Sequence, residues 1–517
     1  MVDARSYHES TKHHPDTVGN RPEAMDPRYK PRPSKRYRDL PTRSLPAGDP
    51  ISHPALSLTA QTCADTAFES KRLDLSTIAS ICVSAAGITQ EFRTPDGQEI
   101  QFRAAPCTGK LYHNELYLAI GSVSGIEPGL YHFDPTDTSL TVLRTGDVRR
   151  VIQQAVGDPS DALAVSHAPV SILLTSEWWR NAWKYTERTY RHAFWDGGAM
   201  VGNLLAASHG CGLRCLPIVG FDDERLVELL AIDPTEEAPL GVVALGSGDA
   251  PPSDASLRDI SPETVPVSDG RFDYPLIYDA WNESTLASRD SATQWREDVR
   301  RFVRSRDEPL LSTDAISLDS VGDEIASQRP LSATIQRRGS CREYTESGPS
   351  RRMVGTVLHR SLGGAPGDWN GGEADGLSVL TPYLLIDGVQ EIPSGSYRYH
   401  HKSGAIERVG TADAATMRKL ALDQPWAGDA HVNVYLMADI ESIVEAVGNR
   451  GYRLAQFEAG ISLGRLYLAT YAHRQLGGTG LTFYDDLVTD HLSPDAAGTT
   501  PMCLFAFGNS AQATAEQ

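Results

Sequence analysis

The sequence predicts a sheet-and-helix domain present in two tandem copies, packed against each other as an intrachain pseudo-dimer. Three observations carry this. The chain has 517 residues, about three times an ordinary domain, which leaves room for two or three cores. Apolar β-type runs such as ELYLAIGSV (115–123), APVSILLTS (168–176) and LGVVALG (240–246) alternate with helical stretches. The third is an internal repeat: TERTYRHAFWDGGAMVGNLLAASHG (186–210) aligns with GNRGYRLAQFEAGISLGRLYLATYA (448–472) at an offset of 262. This matches Tyr190 with Tyr452, Arg191 with Arg453, Gly198 with Gly460, Leu204 with Leu466 and Ala207 with Ala469, and sets Asp196 opposite Glu458. GFDD at 220 then meets FYDD at 483, and GLYHFD at 129 meets GSYRYH at 395. Two copies with long helices bearing small residues on one face are expected to pack face to face.

The elements follow in order. Residues 1–55 read as an extended Pro-rich arm, because five prolines between Pro22 and Pro41 forbid regular helix or central strand. Residues 56–248 form the first domain. Residues 249–325, opening on a burst of Ser, Asp, Pro and Gly, read as a linker with a short amphipathic helix around 295–303. Residues 326–517 form the second domain.

Composition narrows the function. With 48 basic against 67 acidic residues the net charge is −19, which repels phosphate backbones, so no nucleic-acid partner is expected and a small or neutral one is favoured. The seven cysteines are odd in number and mostly far apart, which suits neither a disulfide framework nor paired CxxC zinc ligands, so a reducing cytoplasm and no metal are expected. The N-terminus has no apolar signal core and the longest apolar runs are too short to span a membrane, so no membrane partner is expected.

Three motifs carry candidate chemistry. IQRRGSCREY (335–344) opens the second domain. If it is extended after a short helix, Arg338, Ser340 and Arg342 fall on one side by the two-residue period and offer two guanidinium forks and a hydroxyl, a monophosphate grip. An arginine-rich solvated face fits the same pattern. RAAPCTGKLYHNELYL (103–118) places Pro106, Cys107, Thr108 and Gly109 in a tight turn whose N–H groups and hydroxyl could meet a flat polar edge, or simply lead into a strand. WWRNAWKYTERTYRHAFWDGG (178–198) sets Lys184 beside Tyr185, where a cation could stabilise phenolate for proton abstraction. Adjacent helical residues do not face each other, so that pair needs an irregular turn.

Taken with YHESTKHHP (7–15), GFDD (220–223), GNRGYRLAQFEAG (448–460) and LTFYDD (481–486), these motifs resemble the nitroreductase-like flavoproteins, specifically the SagB/ThcOx-type dehydrogenases with two such domains fused. The resemblance spans nearly the whole chain. It implies an α+β fold, a central mostly antiparallel sheet wrapped by helices, with FMN held between the two units. It further implies that Arg338, Ser340 and Arg342 hold the flavin phosphate and ribityl chain, and that Pro106, Cys107, Thr108 and Gly109 of the opposite unit touch the ring. Cys107 replaces the family's Ser, and His113 its usual Pro.

The half-sites are complementary. The first domain's TAQTCADTAFESKRLDLS (59–76) lacks the arginine motif, and the second domain's GGAPGDWNGGEADG (363–376) and GNRGYR lack the ring turn and the Lys–Tyr pair. One FMN per chain is therefore expected, with the second interface empty. The implied activity is oxidation of a peptide azoline to an azole, with Tyr185 as base or relay and Lys184 as its electrostatic helper. A small-molecule or peptide substrate and a peptide-maturation partner protein are the implied partners. The alternatives are an NAD(P)H-fed nitroreductase or quinone reductase, and a flavin-free binding partner.

Overall fold

Two seven-stranded antiparallel sheets dominate the computed structural model, which describes residues 2–18, 25–60, 73–94, 99–157, 163, 165–252, 256–306, 308–322, 329–372 and 377–512. The first contains β1 (Thr42–Ser44), β4 (Asn114–Ile120), β5 (Gly129–Asp134), β6 (Ser139–Thr145), β7 (Val170–Glu177), β8 (Cys215–Ile218) and β9 (Glu237–Leu245), in the order β1-β6-β5-β4-β7-β9-β8. β2 (Ile88–Arg93) and β3 (Glu99–Arg103) form a separate hairpin. The second sheet contains β10 (Ile316–Ser317), β11 (Leu380–Ile386), β12 (Gly395–His400), β13 (Ala405–Gly410), β14 (Val432–Ala438), β15 (Leu476–Leu481) and β16 (Thr500–Asn509), in the order β10-β13-β12-β11-β14-β16-β15. Strand for strand, this is the first order repeated.

The helices repeat as well. The first half has α1 (Ala4–Ser10), α2 (Ala55–Ala60), α3 (Leu75–Ala86), α4 (Arg149–Val156), α5 (Trp178–Tyr185), α6 (Thr189–Gly210) and α7 (Asp223–Leu230). The connecting segment has α8 (Pro275–Asn282) and α9 (Arg289–Ser305). The second half has α10 (Leu331–Arg337), α11 (Arg351–Ser361), α12 (Ala414–Leu420), α13 (Pro425–Asp429), α14 (Ile440–Val447), α15 (Arg450–Ala472) and α16 (Asp485–Leu492).

The halves meet along α6 and α15, both buried on all sides, and one apolar core runs through Val201 and Leu204 of the first to Phe457 and Ile461 of the second. Glycine sets the distance. A Cβ on Gly198 would lie 2.4 Å from the Phe457 carbonyl oxygen, and one on Gly460 2.5 Å from that of Trp195, so the backbones touch where the repeat pairs these two residues.

Two buried ion clusters reinforce the contact, each crossing between halves. Arg188 and Arg191 of the first half donate to Asp485 of the second, at 3.2 and 2.7 Å. Arg450 and Arg453 of the second donate to Asp223 of the first, at 2.6 and 2.7 Å. Every member is 262 residues from its counterpart, so the GFDD and FYDD motifs are the acidic halves of one reciprocal lock. Burial of such charges is tolerated only because each is paired and hydrogen-bonded.

Two stretches differ from the sequence expectation. The arm is not extended throughout: Asp3 caps α1 by accepting from the Ser6 N–H, and Tyr7 is buried between the Tyr190 and Tyr452 rings. Further along, Thr42–Ser44 pairs with β6, so the arm supplies an edge strand of the first sheet. The linker holds two helices rather than one short one; the second runs 17 residues, starts at a Ser288 capping box, and is followed by β10 on the second sheet. Among the described residues, no helix is long and apolar enough to cross a membrane.

Candidate functional site at the interface of the halves

The 338–342 segment does follow a short helix and is extended. Cys341 turns inward, its N–H donating to the Gly478 carbonyl at 3.2 Å, while Ser340 and Arg342 face solvent. The two arginines part company. Arg338 crosses to the first half, where Nε donates to the Ala104 carbonyl at 3.0 Å and Nη2 to that of Arg103 at 2.5 Å, and its guanidinium lies over the Tyr467 ring. Arg342 instead stacks on Trp426 at 4.8 Å. Arg337 caps the end of α15 through the carbonyls of Tyr471, His473 and Arg474.

Arg338 thus anchors the second half two residues before the Pro106–Gly109 turn. That turn owes its shape to Gly109, whose φ of +65° is left-handed and whose missing side chain admits Tyr185: a Cβ there would lie 2.7 Å from the Tyr185 hydroxyl oxygen. Tyr185 ends α5, and the break at Thr186 (φ +51°) before α6 is the irregular geometry that the Lys–Tyr pair requires. Lys184, half-buried, places its ammonium over the face of the Tyr185 ring, 5.2 Å from its centroid, rather than beside the hydroxyl. Burial pushes the Tyr185 phenol well up, aided by Asp196 and Cys107. Burial also lowers Lys184, with Lys110 adding to it. The amine is thereby moved toward losing its proton and the phenol away from losing its own.

One residue with no site role in the sequence reading organises the turn. Asp196, buried on α6, accepts from Thr108 N–H at 2.9 Å and Thr108 hydroxyl at 2.8 Å, with Cys107 Sγ at 3.2 Å and His113 Nε2 at 2.9 Å. The two positions where the chain departs from the resembled pattern, Cys107 and His113, therefore meet on one carboxylate. The thiol lies against Asp196; burial and that carboxylate hold it well above its ordinary pKa. A signal existed: an acid in a buried, Gly-rich helical stretch, answered by Glu458 in the repeat.

The second interface is built differently. Counterpart residues Ala365–Trp369 hold Asp368, which accepts from the Val219 and Gly220 N–H groups at 2.9 Å each, and Trp369, which has no exposed surface. Arg300 of α9 donates to the Asp368 carbonyl at 2.8 Å. Val447 stands where Tyr185 stands in the first half, its carbonyl accepting from Trp295 Nε1 of α9. The first half's 61–72, which cover most of the missing arginine motif, lie outside the described residues.

Residues 67–247 match the Nitroreductase family. This half is a nitroreductase-family domain. Over 98% of its length the chain is similar to an Anabaena variabilis "putative nitroreductase" of known structure, 99% of which it covers, at 23% identity and TM-score 0.74, so both halves carry the nitroreductase fold. A Methanocaldococcus jannaschii protein named "Putative nitroreductase" is 24% identical over 182 residues, 34% of this chain and 82% of that protein. The E. coli microcin synthetase McbBCD complex with truncated pro-MccB17 bound matches 35% of this chain and 67% of its own at 24% identity, with a TM-score of 0.30.

The donors present fit an FMN phosphate. Arg342 forms no ion pair among the described residues, the Ser340 hydroxyl is exposed beside it, and the Nε1–H of Trp426, on which Arg342 stacks, is buried without a hydrogen-bond partner. An unneutralised guanidinium in a chain of net charge −19 is an anion donor in waiting.

Proposed function

We propose that this chain is an FMN-dependent oxidoreductase with one composite flavin site, of the kind that dehydrogenates azoline rings in peptides. The observation that carries it is the Arg338 bridge to the Arg103 and Ala104 carbonyls, which brings the 338–342 segment of one half against the Pro106–Gly109 turn and Tyr185 of the other. Ser340 and Arg342 would hold the phosphate, and the Pro106–Gly109 turn would line the ring. When bound, FMN accepts the hydride removed from substrate. The protein must then take the proton from the adjacent atom. Lys184 suits that task better than Tyr185, because burial favours its neutral amine, while the tyrosine hydroxyl, packed on Gly109, stays protonated and orients the reacting group by donating to it. The filled surroundings of Asp368 and Trp369 support a single site per chain.

The test uses the purified full chain, scored for flavin absorbance and stoichiometry, then mixed without oxygen with a thiazoline-containing peptide while flavin bleaching is followed. About one FMN per chain and bleaching are expected. Lys184→Met should slow bleaching by about 10²–10⁴-fold, and Tyr185→Phe by less. Two tight FMN per chain would refute the composite site. A colourless protein would leave the flavin-free partner, and bleaching by NAD(P)H but not by the peptide would leave the nitroreductase or quinone reductase.

A further inference from the structure

We propose that Cys107, His113 and Asp196 bind one Zn²⁺ ion, with a water as fourth ligand. Their ligand atoms all lie within 4.8 Å of one another. The Sγ–Oδ2 and Nε2–Oδ2 distances of 3.2 and 2.9 Å are a few tenths short of the roughly 3.3–3.6 Å between ligands around a tetrahedral zinc. The donor set is thiolate, imidazole and carboxylate, which suits zinc and neutralises its charge without a further residue.

The surroundings are built as an outer shell. Ser176 Oγ lies 2.8 Å from His113 Nδ1, so the ring can donate there and turn a bare Nε2 toward the ion. The Thr108 hydroxyl holds the other Asp196 oxygen at 2.8 Å. Such contacts fix the orientation and basicity of metal ligands. A cavity of about 10 Å³ opens on Cys107 and Asp196, beside Tyr112 and Asn114, and is the size of one water. It supplies the fourth position.

Three separate elements deliver the ligands: the turn, the residue before β4, and the middle of α6. Among the described residues the repeat offers no second such set, Gly367 standing where Cys107 does, so the expected stoichiometry is one ion per chain. The ion would fasten the turn to α6 from beneath, and the inference stands whether or not the chain binds flavin.

The full chain, stripped with chelator, is titrated with Co²⁺ as the spectroscopic probe. Near-ultraviolet thiolate-to-cobalt absorption and the visible bands of a four-coordinate ion should saturate at one equivalent and vanish on adding Zn²⁺. Cys107→Ser should abolish the near-ultraviolet band, and Ser176→Ala should weaken binding about 10–100-fold. In the unaltered protein, Zn²⁺ should protect Cys107 from iodoacetamide, read by mass spectrometry, which keeps the test valid if a variant misfolds. Absence of the thiolate band, its survival in folded Cys107→Ser, or unchanged Cys107 alkylation with Zn²⁺ would each overturn the proposal.

Discussion

Replacing Asp485 with Asn tests whether the two halves are locked as described. The carboxylate has no exposed surface and accepts from Arg191 at 2.7 Å, Arg188 at 3.2 Å and the His13 N–H of the arm at 2.8 Å. Asn keeps the volume but removes the charge that compensates two buried guanidinium groups, and it turns an N–H₂ toward donors. Breaking a buried ion pair by removing one partner costs about 3–5 kcal/mol. Asp223→Asn should cost a similar amount, since it strands Arg450 and Arg453, though its third contact is the Leu286 N–H of the linker instead of the arm. Urea unfolding followed by tryptophan fluorescence gives the shift in the first transition, because a chain of two halves is not assumed to unfold in one step. Adding Arg191→Met to Asp485→Asn should recover part of the loss, with a coupling of about 0.5–3 kcal/mol. A cost below about 1 kcal/mol for both single variants would mean that these charges are solvated and that the halves do not meet this way.

Gly460→Val should destabilise the chain by about 1–3 kcal/mol or more, because its Cβ meets the backbone carbonyls of Trp195 and Phe194; Gly322→Ala, in open space, should not shift the same urea midpoint. Burial raises the Glu458 carboxyl from 4.5 to about 7, so the folded state holds this proton more tightly than the unfolded one, and stability should fall as pH rises from 4.5 through about 7. The loss amounts to about 3 kcal/mol, and Glu458→Gln should remove it, read as midpoints at pH 5 and pH 8 that lie closer together. Arg342→Ala should weaken FMN binding roughly 10-fold or more by equilibrium dialysis; unchanged affinity would mark the segment as a solvated face.

The repeat of the fold was legible because equal spacing survives divergence: the glycines, tyrosines and arginines of α6 and α15 recur at one offset. Their pairing across the interface was not, since a lone sequence does not show that Arg191 of one copy reaches the first acid of FYDD in the other. The helix Ala4–Ser10 at the start of the arm differs from the extended expectation because proline placement further along outweighs a local cue. Asp3 before ARSYHES is a good helix cap, but the deciding force is tertiary, the burial of Tyr7 between two tyrosine rings. At the candidate site, the turn, the Lys–Tyr pair and the 338–342 segment stood out as candidates by residue type. Asp196 was marked only by Glu458 opposite it in the repeat, because a helix buried on every side has no polar stripe against which an inward acid stands out. Where the Lys184 ammonium sits relative to the Tyr185 ring was also not legible, since adjacent positions in a chain do not fix side-chain placement.

Trp369 and the α9 clamp over Asp368 have an evolutionary consequence. In an assembly of two identical subunits, every substitution falls on both interfaces, so one cannot be sealed without sealing its twin. Fusing the copies into a single gene lifts that restriction. A bulky tryptophan can fill one side, with a linker helix bonded to the residue before it, while the other side keeps a different set of residues. The sealed side then becomes ballast for folding, free to gain apolar packing that a working cleft would forbid. Drift should accordingly run differently in the two halves: hydrophobic and volume-conserving around Trp369, chemically restricted around Asp196.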